Sequence, residues 1–244
     1  RILYCEERLK MDKVGYLIVR NVPSELANTL GGIPKQVFHI SKYLYEQSEF
    51  TPIFATSSDG LLPKSIEAQG VPIFVIPELA VNIYRAAKKL GHIIVANNVR
   101  IIQSHGFRES LCLRLLKCRY PDLAHIFRVH THIDCSHIPN WKKLSYHYLD
   151  FCSQQWVDCF LCIGNYVANE LISKSHINKK KIKVIPNGCQ DMRNPDLLYT
   201  GNSPLPLKIA FIANIIPFKG HDVLIKTLSI LKKRGIMPRV RLIG

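Results

Sequence analysis

The stretch from Leu207 to Gly244 constrains the fold more than any other part of the chain. It reads as an apolar strand from Ile209 to Ile212, a loop from Asn214 to Asp222, a helix, and a second apolar strand from Val240 to Ile243. Val223, Leu224, Thr227, Leu228 and Leu231 share one helical face, with Lys226, Lys232, Lys233 and Arg234 towards solvent. Gly235 and Pro238 supply the stop. Such a strand, helix, strand unit is parallel with a right-handed crossover, and its ligands lie outside the carboxyl ends of the strands. Lys219 lies there, just ahead of a helix N-terminus whose free amides and dipole favour an anion such as phosphate. Standing alone, it would read as a solvated loop lysine. Two strands cannot cover both faces of a sheet, so further C-terminal sequence is expected to complete this unit.

Ahead of this unit, apolar runs alternate with helical patterns. Val14 to Val19 is a continuous apolar run, fit for a strand buried on both faces. Further strands are expected at Pro52 to Ala55, Ile73 to Ile76, Ile101-Ile102, Phe127 to His130, Cys159 to Ile163 and Ile182 to Ile185. Helices are expected at Lys35 to Glu46 (burying Val37, Ile40 and Leu44, with Pro34 at its first position), Tyr84 to Leu90, Glu109 to Lys117 and Asn165 to Lys174. The alternation predicts a doubly wound, parallel-sheet α/β domain over residues 12–190. The polar, proline-bearing residues 191–205 read as a linker, and residues 206–244 as the start of a second, incomplete α/β domain. Met11, just before the first apolar run, makes a natural start, so residues 1–10 read as extraneous.

The formal charge of +15 is spread along the chain and suits nucleic acid, an anionic membrane surface or phosphorylated small molecules. No nucleic-acid module signature is visible, which sets nucleic acid aside. The eight cysteines form no regular framework, and neither a signal peptide nor an apolar run of membrane-spanning length is present. A reduced, cytoplasmic protein is expected. The segment from Trp141 to Trp156 interleaves aromatic residues with Lys142, Lys143 and His147. It suits either an amphipathic helix packed on the core or one resting on the inner face of an anionic membrane.

Several motifs carry chemistry. Gly31-Gly32 lies between the first strand and a helix N-terminus, where missing side chains let a ligand approach the backbone. His130 and His132, at i and i+2 on one strand face, begin a cluster with Asp134, Cys135 and His137. It is similar to the first histidine motif of metallo-β-lactamase-like hydrolases, with Cys135 in place of their third histidine. No second ligand cluster follows, so no metal site is expected, and the reading is a polar strand end lining a substrate site. Cys159 and Cys162 have the spacing of a redox or zinc pair but sit in an apolar strand, and read as structural.

In combination, Gly31-Gly32, Ser104-His105-Gly106, His130-Thr131-His132, Val184-Ile185-Pro186-Asn187-Gly188 and Phe218-Lys219-Gly220 resemble the group 1 family of GT-B fold glycosyltransferases, over nearly the whole chain. The resemblance implies transfer of a sugar from a nucleotide-sugar donor to a hydroxyl of a glycan or lipid-linked acceptor, with retention, and with no metal or cofactor beyond the nucleotide-sugar. It implies that the first domain holds the acceptor, with His105 and Arg108 on that side, and the second the donor, with Gly31, Gly32, Asn214, Lys219 and Gly220 around it. His130 or His132 would contact donor sugar or acceptor. The family clamps the diphosphate with an arginine and a lysine five residues apart; Lys219 takes the lysine's place, and Asn214, which brings no charge, stands in the arginine's. The family's glutamate pair would lie beyond Gly244. Nucleotide-sugar epimerases share this architecture and remain the alternative within the fold, a metallohydrolase the alternative outside it.

Overall fold

The computed structural model describes residues 13–22, 32–47, 49–130, 140–188, 208–213, 215 and 219–244. The chain divides into two compact units, Arg1–Cys189 and Gln190–Gly244.

The first unit contains β1 (Val14–Arg20), α1 (Gly32–Glu46), β2 (Phe50–Thr56), α2 (Leu61–Glu67), β3 (Ile73–Val75), α3 (Glu78–Val81), α4 (Ile83–Ala96), β4 (Val99–Ser104), α5 (Phe107–Arg119), β5 (Ala124–Val129), α6 (Asn140–Ser153), β6 (Cys159–Cys162), α7 (Asn165–Lys174) and β7 (Ile182–Val184). The seven strands form one parallel sheet in the order β3-β2-β1-β4-β5-β6-β7. β1 lies inside the sheet beside the middle strand β4, and the alternation of its side chains divides the core. Tyr16 and Ile18 pack with Val37 and Leu44 of α1 and with Leu62 and Ile66 of α2. Leu17 and Val19 pack against Leu79, Ala86, Leu90 and Leu113 of α3, α4 and α5. A third cluster joins Phe127, Val129 and Phe160 to Leu171 of α7. The doubly wound sheet is as expected, and β1 is buried on both faces.

Gly15 explains a local detail. Its Cβ would lie 2.7 Å from the Asn97 carbonyl oxygen and 2.8 Å from that of Asn98. Only a glycine lets β1 run this close to the turn entering β4, and the β1–β4 register shifts at this point, between Gly15 and Tyr16. At the start of α4, Asn82 Oδ1 accepts from the amides of Tyr84 and Arg85, a side-chain cap that fixes the helix start.

Some expectations need correction. α1 begins at Gly32, so Pro34 is its third residue, still within the first turn where its missing N–H costs nothing; Ile40 is only half-buried. α2 and α3, short helices starting after Gly60 and Pro77, had no clear periodicity in the sequence. α6 confirms a helix in the tryptophan-bounded segment, followed by a 3-10 turn at Gln154–Trp156. Among its described side chains, the contact with the core is not an apolar stripe. Leu144, Tyr148, Leu149 and Phe151 are exposed, while Asp150 is buried against Arg114 of α5. An ion pair, rather than hydrophobic side chains, is what α6 buries among its described residues. The expected linker, residues 191–205, lies outside the described residues.

The second unit contains β8 (Lys208–Ile212), α8 (His221–Lys233) and β9 (Arg239–Ile243), the two strands parallel. Leu224, Leu228 and Leu231 form its half-buried stripe, spaced i, i+4, i+7. Val223 and Thr227, expected on that face, lie one row over and are exposed. Among the described residues no helix is long and apolar enough to cross a membrane.

Candidate functional site

The sheet order reverses direction between β1 and β4, which makes the carboxyl ends of these two strands a topological switch point, where ligands of doubly wound sheets bind. The His105 amide donates to the Val19 carbonyl at 3.3 Å, tying the two ends together. Side chains that alternate along three strands converge here. The buried Tyr16 hydroxyl donates to Gln103 Oε1. Gln103 Nε2 lies 2.7 Å from His105 Nε2, and His105 Nδ1 lies 3.2 Å from His130 Nε2. The two imidazoles stack with centroids 5.4 Å apart and planes 26° from parallel.

Charged groups frame this chain. Arg20 Nη1 reaches the His105 carbonyl and Glu109 Oε1, both at 3.3 Å. Glu109, 3% exposed, also accepts from the Asn21 amide at 2.6 Å. The end of β1 is thus clamped to the first turn of α5. A Cβ on Gly106 would run into the Glu109 carboxylate, so the glycine of the Ser-His-Gly motif makes room for the clamp. On β5, Arg128 Nη2 donates to the Ile185 carbonyl at 3.1 Å and to Asn187 Oδ1 at 2.9 Å. Asn187 Oδ1 also accepts from Gln36 of α1. The Pro186-Asn187-Gly188 motif is therefore stitched to both β5 and α1.

Burial drives the His105 ring well below its ordinary pKa, with His130, Arg20 and Arg128 acting in the same direction. Burial, then Arg128 and Arg20, lower His130 to about 4. Burial raises Tyr16. At neutral pH both imidazoles are uncharged and the phenol keeps its proton, so the site presents neutral donors and acceptors between two guanidinium groups.

Of the residues expected from the sequence, His105 and His130 come together. Arg108 does not join them: its Nε donates to the Leu79 carbonyl at 2.9 Å, on the α3 side. Gly32 opens α1 with open space where a Cβ would stand. Gly31, His132, Asp134, Cys135, His137 and Asn214 lie outside the described residues. In the second unit, exposed Lys219 and half-buried Gly220 immediately precede α8. Gly220 has φ +78°, a left-handed conformation that favours glycine, and the His221 ring packs edge-on against Phe211 at 4.8 Å. Among the described residues no group of three or more His, Cys, Asp or Glu is placed to hold a metal. Cys159 and Cys162 are free; burial raises both thiols, Cys162 to about 11, which suits inert packing rather than redox chemistry. Tyr16, Gln103, Arg128 and Glu109 were missed in the sequence. Two of them carried a signal: Gln103-x-His105 and Arg128-x-His130 put polar residues on one face of otherwise apolar strand ends.

The fold is that of GT-B glycosyltransferases. A glycosyltransferase from Rickettsia africae ESF-5 is 22% identical with a TM-score of 0.63, covering 91% of this chain and 58% of that one. Anabaena Alr3699/HepE in complex with UDP and glucose is 13% identical with a TM-score of 0.63, covering 94% of this chain and 68% of that one. UDP-GlcNAc 2-epimerase from Neisseria meningitidis, bound to UDP-GlcNAc, is 11% identical with a TM-score of 0.54, covering 94% and 65%. The chain thus spans less than two thirds of the length of the Rickettsia protein. No curated protein matches it significantly by sequence. The model of Glycosyltransferase Family 4 matches residues 30–193, most of the chain, and the chain belongs to that family.

Proposed function

We propose that the protein to which this chain belongs moves a sugar from a nucleotide-sugar donor to a hydroxyl acceptor, with retention and with no cofactor beyond the nucleotide-sugar. One observation carries the reading: a buried, neutral His105–His130 pair flanked by Arg20 and Arg128 at the switch point of a family 4 glycosyltransferase domain. A departing nucleoside diphosphate gains negative charge as the glycosidic bond breaks, and fixed cations and helix N-termini act more strongly on it then than in the ground state. In this proposal Lys219, Gly220 and the amides at the start of α8 take the diphosphate, with Asn214 donating a hydrogen bond beside them. The backbone at Gly31 and Gly32 approaches the donor, and His130 or His132 meets the sugar or the acceptor. His105 works from behind His130. The UDP and glucose held by HepE support a nucleoside-diphosphate sugar as donor.

The experiment is to offer the complete protein a panel of labelled nucleotide-sugars with glycan and lipid-linked acceptors. Label transferred to an acceptor, with equimolar nucleoside diphosphate released, supports the proposal. Release of a free, epimerised sugar without an acceptor would replace it with the epimerase reading.

A peripheral membrane contact belongs to the same proposal. Leu144, Tyr148, Leu149 and Phe151 of α6 are exposed on a chain of formal charge +15, a combination suited to an anionic bilayer surface and to a lipid-linked acceptor.

A further inference from the structure

The chain Tyr16–Gln103–His105–His130 has a direction. Each link joins groups that can donate or accept, and the first link sets the rest. Among the described residues, the buried Tyr16 hydroxyl has one hydrogen-bond partner, the Gln103 side chain. A phenol that keeps its proton must place it on an acceptor, or leave a buried donor unsatisfied. Gln103 therefore turns its carbonyl oxygen to Tyr16 and its amide to His105. His105 Nε2 then accepts, at 2.7 Å, and in a neutral ring the proton is on Nδ1. That proton points at His130 Nε2, 3.2 Å away, which accepts in turn. The one proton left on the His130 ring is on Nδ1. Turning the Gln103 amide over would reverse every link and leave the Tyr16 proton facing an N–H. Arg20 and Arg128, the cations flanking both rings, oppose a second proton on either, and Glu109 is occupied by Arg20 and the Asn21 amide.

We propose that Tyr16 and Gln103 are positioning residues that fix the tautomers of His105 and His130, so that His130 presents an Nδ1–H donor to an oxygen of the bound sugar or acceptor and does not serve as a general base. The tautomer assignment stands on the hydrogen-bond geometry together with the burial and flanking arginines that keep both rings neutral; its use towards a substrate rests on the function proposed above. Of the two ring nitrogens of His130, Nε2 is committed to His105 and Nδ1 already carries its proton. The ring offers a hydrogen bond and cannot take up a proton without breaking the chain behind it.

Long-range proton–nitrogen correlation spectra of the chain labelled with nitrogen-15 histidine read the tautomers without any substrate. Wild type should show both His105 and His130 in the Nδ1–H form. Tyr16→Phe removes the proton that sets the direction, so both rings should become mixtures with roughly a tenth or more of the Nε2–H form. An Nε2–H ring at His130 in wild type, or tautomers unmoved by Tyr16→Phe, would overturn the assignment. On the complete, active protein, His130→Asn keeps an N–H donor near the Nδ1 position, whereas His130→Ala removes it. Transfer by His130→Asn should stay within about tenfold of wild type while His130→Ala falls about 10²-fold. Equal losses in the two variants would overturn the donor role and leave the tautomer result standing.

Discussion

Arg114 of α5 and Asp150 of α6 meet at 2.7 Å with side chains only 1% and 9% exposed. Arg114 also donates to Ser153 Oγ at 2.8 Å and to Ser110 Oγ at 3.2 Å, and its guanidinium lies 5.9 Å from the ring centroids of both Phe107 and Phe127. Removing one partner of such a pair strands a buried charge. Asp150→Ala should cost about 3 kcal/mol or more of unfolding free energy in urea, and Arg114→Met with Asp150→Leu should recover most of it. A double variant no more stable than Asp150→Ala would show that the pair holds α6 in place rather than merely neutralising itself.

Acid should weaken the first unit through its buried histidines. His125 is lowered to about 3 by burial, then by Arg114, and His130 to about 4. Unfolded, each titrates near 6.5, so below that pH the unfolded chain binds protons that the folded chain refuses. Stability is complete above about pH 6.5 and is lost as pH falls towards 4, at about 1.4 kcal/mol per pH unit for each histidine fully in this window. Chemical denaturation across this range should show that slope, and His125→Gln should reduce it by one proton per chain.

A single methyl tests the closest approach in the sheet. Gly15→Ala would place its Cβ within 2.8 Å of three backbone atoms between Asn97 and Val99. Backbone cannot swing aside as a flexible side chain can, so a loss of about 1–3 kcal/mol is expected, with a lower melting temperature. Wild-type stability would mean that β1 does not pass this close to the turn.

The sequence showed the strands and their carboxyl ends because β1, β4 and β5 are apolar runs ending in polar motifs. It did not show which ends are neighbours. His105 and His130 meet because β4 and β5 are adjacent in the sheet, a long-range choice that no local pattern carries. Asn165–Lys174 was legible to the residue because its periodicity and flanking Gly164 agree. α2 was not, because Gly60, Leu61, Leu62 and Pro63 also make a good turn. α6 was legible as a helix but not in its packing, since no hydrophobic pattern announces a buried ion pair. Gln103 and Arg128 passed unnoticed because a polar residue in a strand reads as solvent-facing until its neighbours are known.

Membrane contact through α6 makes a separate prediction. The protein should co-sediment with vesicles rich in anionic lipid and not with purely zwitterionic ones, and salt should weaken the binding. Leu144→Glu combined with Phe151→Glu, both at exposed positions, should reduce the bound fraction by roughly tenfold without changing the melting temperature. Undiminished binding by this variant would remove α6 from the contact.

The central claim is donor chemistry, and Lys219→Ala in the complete protein tests it most directly. Lys219 is exposed and adjoins the left-handed Gly220 at the start of α8, so its removal should leave the melting temperature close to wild type. If it meets the departing diphosphate, losing one such electrostatic contact should lower transfer by about 10²–10³ in rate. Sugar transfer by wild type and a loss of that size in a normally folded variant is the predicted result; near-normal transfer by Lys219→Ala would contradict it.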